Sequence, residues 1–364
     1  MIPQSLSRGG LLALGVFAAS TLIGTDAISQ EADSPWKFSG DVRFRAEFND
    51  MDGVSDRHRQ RMRFRANATY TFDDEFTVGT RVTTGSRTDA KSPHVDLGGG
   101  LNKMELNMDR LFVQYTPEWF GGAFVAGKFG NPVYRNPVYG ELVWDADIQP
   151  EGVAVVYGMG DMGPFSDTGF IGAQVAVLEQ SAGEDFWATL LNWHGKVKRD
   201  DDSSFDVGVS YYHYGDPTPD GSGALLGVGN SVAGGEFASD FGIMDAVVAY
   251  NTGDFVVSGE LIKNFRAASG AGDGGFAFGG AMNTESGKFY GQFQTIETDA
   301  VFAAVSQDDF LYTTNHNSFV FGWKNQLMEK LGLHVWAMAS EMEDNGGAGD
   351  ETVYRFRVDF NFKF

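Results

Sequence analysis

The chain of 364 residues carries 27 lysines and arginines against 49 aspartates and glutamates, so its formal net charge is −22, and it has no cysteine. The absence of cysteine excludes disulfide frameworks, thiolate metal sites and cysteine nucleophiles. A charge this negative argues against nucleic acid as a partner, because phosphate binding needs clustered basic residues. With 31 Phe, 12 Tyr and 7 Trp, the chain is too aromatic for a disordered acidic protein.

The first segment has the features of a secretory signal. Arg8 precedes an apolar run over residues 11–23, and small residues follow it. The run is too short for a transmembrane helix, which needs about 20 residues, but it fits the apolar centre of a signal peptide. We therefore predict a signal peptide at 1–29 and a single mature domain at 30–364. The alternative for the first segment is a buried N-terminal helix.

Beyond this segment, apolar residues recur with a period of two. Phe38, Val42 and Phe44, for example, alternate with charged and polar side chains. Such alternation predicts β-strands rather than helices, and the first strands reach the length of about 9–11 residues with which a tilted strand crosses a bilayer. We predict sixteen strands, near 37–48, 57–72, 74–88, 106–116, 122–130, 151–158, 168–179, 185–198, 204–214, 240–251, 254–266, 274–283, 286–298, 316–325, 331–342 and 350–364.

The predicted connections alternate between tight and long. The long ones are 89–105, 131–150, 215–239 and 299–315. Short turns on one side and long loops on the other are typical of outer-membrane barrels, and a closed barrel satisfies every backbone group in lipid. We therefore predict an all-β fold, a transmembrane antiparallel β-barrel of sixteen strands. Fourteen or eighteen strands are alternatives, and a secreted soluble sandwich or propeller is the competing class.

Aromatic residues near predicted strand ends or on apolar faces fit the aromatic girdles of such a barrel. They include Trp119, Phe120, Phe186, Trp187, Trp193, Trp323 and Trp336. We predict that these side chains lie at the two membrane interfaces.

Two segments and the C-terminal strand resemble a known family. Residues 142–155 read LVWDADIQPEGVAV, residues 296–310 read IETDAVFAAVSQDDF, and the chain ends on an alternating strand that finishes in Phe364. These features resemble the bacterial family named Putative porin. The resemblance implies a porin-like barrel in the bacterial outer membrane of a Gram-negative cell, and recognition of the terminal strand by the barrel assembly machinery. It implies no particular solute.

Basic residues gather on the polar faces of the first three predicted strands. They are Arg43, Arg45, Arg59, Arg61, Arg63, Arg65 and Arg81. Neighbouring strands of a meander bring their inward side chains into one wall, and porins select solutes by pore diameter and lining charge. We predict that these arginines line the pore and orient polar or anionic solutes. The alternative is a wall that only pairs with acidic loops and keeps the lumen hydrated.

The connection 131–150 is the third connection on the side of the predicted long loops. In sixteen-stranded general porins the third loop narrows the lumen, and by that analogy we predict a constriction loop opposite the arginines. Its candidate residues are Tyr134, Arg135, Glu141, Asp145, Asp147 and Glu151. Opposed charges across a narrow gap would favour dipolar, hydrated solutes. The alternative is an external loop with ordinary surface charges.

These features predict an outer-membrane porin, a passive diffusion channel for small hydrophilic solutes, anions included. We expect no catalytic residues, no metal site and no cofactor, although the acidic loops should bind divalent cations loosely. The expected partners are outer-membrane lipid, lipopolysaccharide and, by analogy with general porins, further copies of the chain in a homotrimer. The alternatives are a plugged structural or adhesive barrel, and a barrel enzyme, for which the sequence has no Gly-x-Ser-x-Gly elbow.

Overall fold

The computed structural model describes residues 34–51, 55–181, 183–199, 202–215, 229–343 and 352–364. The predicted signal peptide at 1–29 lies outside these residues. Within them, no helix has the length and apolar character needed to cross a membrane.

Nineteen β-elements are present in the described part of the chain. They are β1 (Trp36–Met51), β2 (Arg57–Thr71), β3 (Phe76–Thr84), β4 (Val95–Asp96), β5 (Leu106–Tyr115), β6 (Gly122–Lys128), β7 (Glu151–Met162), β8 (Phe165–Leu178), β9 (Phe186–Lys198), β10 (Ser204–Tyr214), β11 (Val232–Ala233), β12 (Glu236–Phe237), β13 (Gly242–Asn251), β14 (Phe255–Asn264), β15 (Gly274–Thr284), β16 (Gly287–Ile296), β17 (His316–Met328), β18 (Leu331–Met342) and β19 (Thr352–Lys363). Three of them, β4, β11 and β12, are two-residue pieces within connections. The other sixteen confirm the sixteen predicted strands, with ends that differ by a few residues.

The sixteen long strands form one closed antiparallel barrel. Each pairs with the next in chain order, and β1 pairs with both β2 and β19. At the seam, the backbones of Gly40 and Phe364 exchange two hydrogen bonds of 2.8 and 3.0 Å. The Phe364 ring lies over Gly40, where a Cβ would stand 2.4 Å from a ring carbon. The seam is therefore closed by pairing, as strands in lipid require.

The two faces of the strands are inverted relative to those of a soluble sheet. On β17, Phe319 and Phe321 are 49% and 48% exposed, whereas Ser318 and Val320 beside them are buried. Soluble proteins cover the apolar face of a sheet, so an exposed apolar face of this extent fits a lipid surround. The buried face is the inner one, and it carries the polar and charged side chains.

The connections at the two ends of the barrel differ in length, as predicted. The short-turn end carries 72–75, 116–121, 163–164, 252–254, 285–286 and 329–330, and the long-loop end carries among others 85–105, 129–150 and 297–315. Residues 216–228 of the predicted long loop 215–239 lie outside the described residues. The predicted constriction loop lies within 129–150, the third connection at the long-loop end. In outer-membrane barrels the short turns are periplasmic and the long loops are extracellular.

Aromatic rings gather at the short-turn end, on the outer side of the first strands. The ring centroids of Trp36 and Tyr70 lie 4.8 Å apart. The ring of Phe120 lies 4.5 Å from that of Phe124 on β6 and 5.0 Å from that of Tyr157 on β7. The girdle prediction is wrong for Trp336 and Phe186. Both are buried on the inner face, at 5% and 1% exposure, because their position in the alternation points them into the lumen.

Candidate functional site

Arginines cover the inner face of five adjoining strands. In the register of β1 and β2, Arg43 lies opposite Arg63, and Arg45 lies opposite Arg61. The structure brings all seven predicted arginines onto this face and adds three more. We call the set the basic wall: Arg43, Arg45, Arg59, Arg61, Arg63, Arg65, Arg81, Arg110, Arg355 and Arg357.

Carboxylates are interleaved with these arginines. Asp41 on β1 accepts hydrogen bonds from Arg63 at 2.5 Å and from Arg65 at 2.8 Å. Asp109 on β5 binds Arg81 at 2.5 Å. These are charge-assisted contacts, which are shorter and stronger than hydrogen bonds between neutral groups.

The centre of the basic wall has the same construction. Glu47 on β1 pairs with Arg59 and, at 2.6 Å, with Arg357. Asp359 on β19 binds Arg45 at 2.7 Å, and neither carboxylate has measurable exposure. Buried charges persist when they are paired and hydrogen-bonded. The wall therefore carries much less uncompensated positive charge than its ten guanidinium groups suggest.

Sequence reasoning missed Arg355 and Arg357. Barrel closure lays β19 beside β1, so that Arg357 stands directly opposite Glu47 although 310 positions separate them. The signal available in the sequence was the polar face of the last strand, where these two arginines alternate with aromatic residues. That face joins the predicted wall only when the first and last strands are paired.

The connection 129–150 folds across the lumen. Its Asn136 donates to Glu260 on β14 at 2.8 Å, and its Asp147 lies 3.4 Å from Arg65 on β2. Because β2 and β14 lie about half-way round the ring from each other, a segment that contacts both must cross the interior.

The packing of Tyr134 holds this loop against the strands on the far side of the lumen. The ring of Tyr134 lies against Gly208 on β10, where a Cβ would come within 2.3 Å of a ring carbon, and it stacks on His194 at 5.9 Å. The glycine therefore provides the space for the tyrosine. Arg135 beside it is half-buried.

Three of the predicted acidic residues lie in the inward part of the loop. Glu141 accepts a hydrogen bond from the backbone N–H of Ala146 at 2.6 Å, and Asp145 accepts one from that of Asp147 at 2.7 Å. The prediction is wrong for Glu151. It begins β7 with an exposed side chain that pairs with Lys128, because the strand alternation turns it away from the arginines.

Burial changes the charge of this loop. Burial raises the pKa of Glu141 to about 8, and burial raises the pKa of Asp145 well above its usual range. Glu141 is therefore mainly protonated at neutral pH, and Asp145 keeps its proton to a higher pH than an exposed aspartate does. Asp147, in contrast, faces Arg65 and is the loop carboxylate that contacts the basic wall.

The connection 297–315 is a second inward loop, which sequence reasoning did not place in the lumen. Its Asp309 accepts a hydrogen bond from the hydroxyl of Tyr139 at 2.5 Å and pairs with Arg357 of the basic wall. Burial alone would raise the pKa of Asp309, but the Arg357 guanidinium outweighs it and the pKa is lowered. Asp309 thus joins both inward loops to the wall as an ionised carboxylate.

The opposite side of the lumen is filled by apolar packing. The ring of Phe302 contacts the rings of Phe186, Tyr214 and Phe241 at 5.7, 4.7 and 5.1 Å, and all four residues are at most 1% exposed. Trp144 of the first inward loop belongs to the same buried cluster. We call this region the apolar half. The packed rings exclude water from this part of the lumen.

No group of three His, Cys, Asp or Glu side chains in the described ranges is arranged to hold a metal ion.

Comparisons with known proteins agree with this geometry. Residues 25–219 match the sequence model of the family described as Putative porin. Among solved structures, a mutant of the Rh. blastica porin matches with a TM-score of 0.51 and 14% identity, over 90% of this chain and 100% of that chain. OmpT, an outer membrane protein of Vibrio cholerae in a trimer form, matches with a TM-score of 0.53 and 10% identity, over 90% and 99%. A comparison with curated protein sequences gives no match. At these identities the structural likeness concerns the barrel fold.

Proposed function

Because the chain belongs to the Putative porin family, we propose that this barrel of the bacterial outer membrane is a passive diffusion channel for small hydrophilic solutes. The observation that carries the proposal is the contact, inside the barrel, of Asp147 on the first inward loop with Arg65 on the basic wall at 3.4 Å. It places an inward loop against a charged wall, so that a solute must pass between charged groups in a narrow gap.

The constriction has two inward loops facing the basic wall. Asp147 and Asp309 supply negative charge from the loops, and Arg65 and Arg357 receive it on the wall. Oriented charges of both signs favour hydrated, dipolar solutes over apolar ones, because only polar solutes exchange water for these groups without loss. Passage needs no covalent step, so the proposal includes no catalytic residue and no cofactor.

The proposed assembly is a homotrimer, in which each chain forms its own channel. The support is the trimer form printed for the Vibrio cholerae barrel of similar fold and the apolar outer face of the strands. Chemical cross-linking in native outer membranes tests this part. A ladder that ends at three copies is expected, and a protein that stays monomeric would contradict it.

The channel itself is tested by single-channel recording of the purified, refolded protein in a planar bilayer with a tenfold KCl gradient. Stepwise conductance with a reproducible reversal potential is expected. Protein that is verified as a folded barrel but passes no current would overturn the proposal.

One observation favours a second candidate, a plugged structural barrel. Loop residues Phe302 and Trp144 are buried inside the barrel, with exposures of 0% and 4%. If the two inward loops also closed the gap beside the basic wall, the same recording would show no conductance. Removal of the loop 129–150 would then open the barrel and restore current.

A further inference from the structure

Two lysines face each other on the inner wall near the short-turn end. Lys288 on β16 and Lys324 on β17 are direct cross-strand partners. The Lys324 ammonium lies 5.2 Å from the ring centre of Tyr290, an inward residue of 4% exposure, which fixes the lysine on the lumen side. Like charges directly opposite each other in a sheet are destabilising. Such a pair is therefore a costly feature of this wall.

The lysines differ from the arginines in their partners. Within the described ranges, neither ammonium forms an ion pair with a carboxylate, whereas Arg63 and Arg45 are neutralised by Asp41 and Asp359. The positive charge that the wall leaves available to a solute thus lies at the lysine pair more than at the arginines.

Two wall arginines also lack a carboxylate within ion-pair distance, but neutral groups cover them. Arg110 donates to the Gln149 side chain at 2.7 Å. Arg355 donates to the Asn49 side chain at 2.9 Å and is 5% exposed. Lys324, in contrast, is exposed to the lumen. A solute can therefore reach the lysine more readily than these arginines.

Both cations and carboxylates surround the lysine pair. The positive charges of Arg43 and Lys288 repel the ammonium of Lys324. His334 lies opposite Lys324 in the register of β17 and β18. The nitrogen Nε2 of His334 is engaged with the Tyr290 hydroxyl at 2.8 Å. The inward-loop residues Glu141 and Asp309 attract the ammonium of Lys324. Asp309, however, is paired with Arg357, and burial keeps Glu141 mainly protonated.

A cavity adjoins the pair. Lys288 lines a space of about 150 Å³ together with Asn251, Asn283, Asp254 of the turn before β14, and Pro137 of the first inward loop. Two amide side chains beside an ammonium suit a small solute that carries an oxyanion and further polar groups.

We propose that Lys288 and Lys324 form an oxyanion-binding step on the short-turn side of the constriction, which takes small phosphates and carboxylates and gives the channel its anion preference. The inference rests on the proposed channel function. Ammonium groups hold such anions as point charges, and no carboxylate of the described residues lies within ion-pair distance of either ammonium, which leaves both charges for the solute.

The test is the double variant Lys288→Gln/Lys324→Gln, recorded in planar bilayers with a KCl gradient and with inorganic phosphate as the probe. We expect the reversal potential to shift towards cations. We also expect the phosphate concentration that halves the current to rise about tenfold, because two charge contacts in water are lost. The variant Lys288→Arg/Lys324→Arg should keep both properties of the unmodified protein.

The matched control is Lys196→Gln on β9, a lysine whose ammonium already lies 3.8 Å from Asp167. It should leave the reversal potential and the phosphate block unchanged. If the double variant conducts current with unchanged ion selectivity and unchanged phosphate block, the proposed oxyanion-binding step is wrong, whereas the proposed channel function is unaffected. If the unmodified folded barrel passes no current, the proposed function itself fails.

Discussion

The two sides of the barrel interior are ordered by different forces. On the basic wall, inward side chains are held by ion pairs such as that of Arg45 with Asp359 at 2.7 Å. In the apolar half, the inward side chains are held by packing, with Phe302 enclosed by aromatic rings. A packed aromatic cluster excludes water, whereas a charged wall needs water or partners. From this difference we propose that solutes travel along the basic wall.

The largest effect is expected from the carboxylate at the centre of the basic wall. Glu47→Ala would leave Arg59 and Arg357 without this partner in a buried setting. Breaking a buried pair in this way costs about 3–5 kcal/mol, and we expect the upper end because two arginines are affected. Urea unfolding followed by tryptophan fluorescence measures the loss. Glu285→Ala in an exposed turn is the control and should change little.

The second prediction concerns the apolar half. Phe302→Ala would leave a cavity among three buried rings, and such substitutions cost about 3–5 kcal/mol. The second inward loop should also loosen, so single-channel conductance should rise or become noisy. Phe265→Ala, at a position 63% exposed, provides the comparison. Equal unfolding free energies for the two variants would show that the apolar half is not a packed core.

The third prediction concerns the contact between the two inward loops. Tyr139→Phe removes the hydroxyl that donates to Asp309 at 2.5 Å. Hydrogen bonds to charged groups contribute about 1.5–3 kcal/mol, so a loss of that order is expected in the same unfolding assay. Asp309 would keep its pairing with Arg357. Unaltered stability and unaltered current noise would argue against a role of this bond in holding the loops.

The smallest effect is a pH dependence of ion selectivity. Burial raises the pKa of Glu141 to about 8, so this carboxyl ionises as the pH rises from 7 to 9. It then adds one negative charge near Arg135, Asp309 and Asp147, the charged groups that act on it. The reversal potential should move towards cations over this range.

Glu141→Gln is the decisive variant for this pH dependence, because it keeps the shape of the side chain without the titration. The pH shift should disappear in it, and its persistence would assign the titration to another group. The same raised pKa has a stability consequence. At a pH between the ordinary pKa of 4.5 and the folded pKa of about 8, the Glu141 carboxyl group ionises mainly in the unfolded chain. Glu141 therefore lowers the free energy of unfolding as the pH rises through this range.

The strands could be predicted from the sequence because alternation is a local pattern. All sixteen are present, and the ordinal position of the loop within 129–150 follows from counting connections. The partners of the arginines could not be predicted in the same way. Asp41 and Glu47 occupy the same inward face as Arg43 and Arg45, but their pairing depends on the register with β2 and on the closure by β19.

Closure and folding of the loops were also beyond sequence reasoning. Trp336 belongs to the lumen, where Arg357 lies 4.8 Å above its ring, although its indole looked suited to a membrane interface. Glu151 failed as a constriction residue because it is the first residue of β7, as the predicted strand 151–158 has it, and the alternation of that strand turns its side chain away from the arginines. Asp309 was overlooked because its segment resembles family members in sequence, and that resemblance says nothing of where the loop lies.

The central claim, a solute path along the basic wall and not through the apolar half, is tested most directly by thiol labelling. The chain has no cysteine, so a single one can be introduced at Asn67 on the inner face of β2 or at Ala188, which is 0% exposed in the apolar half. We predict that a positively charged thiol reagent lowers the single-channel current of Asn67→Cys in one step and leaves Ala188→Cys unchanged. A current that falls for Ala188→Cys and not for Asn67→Cys would contradict the claim.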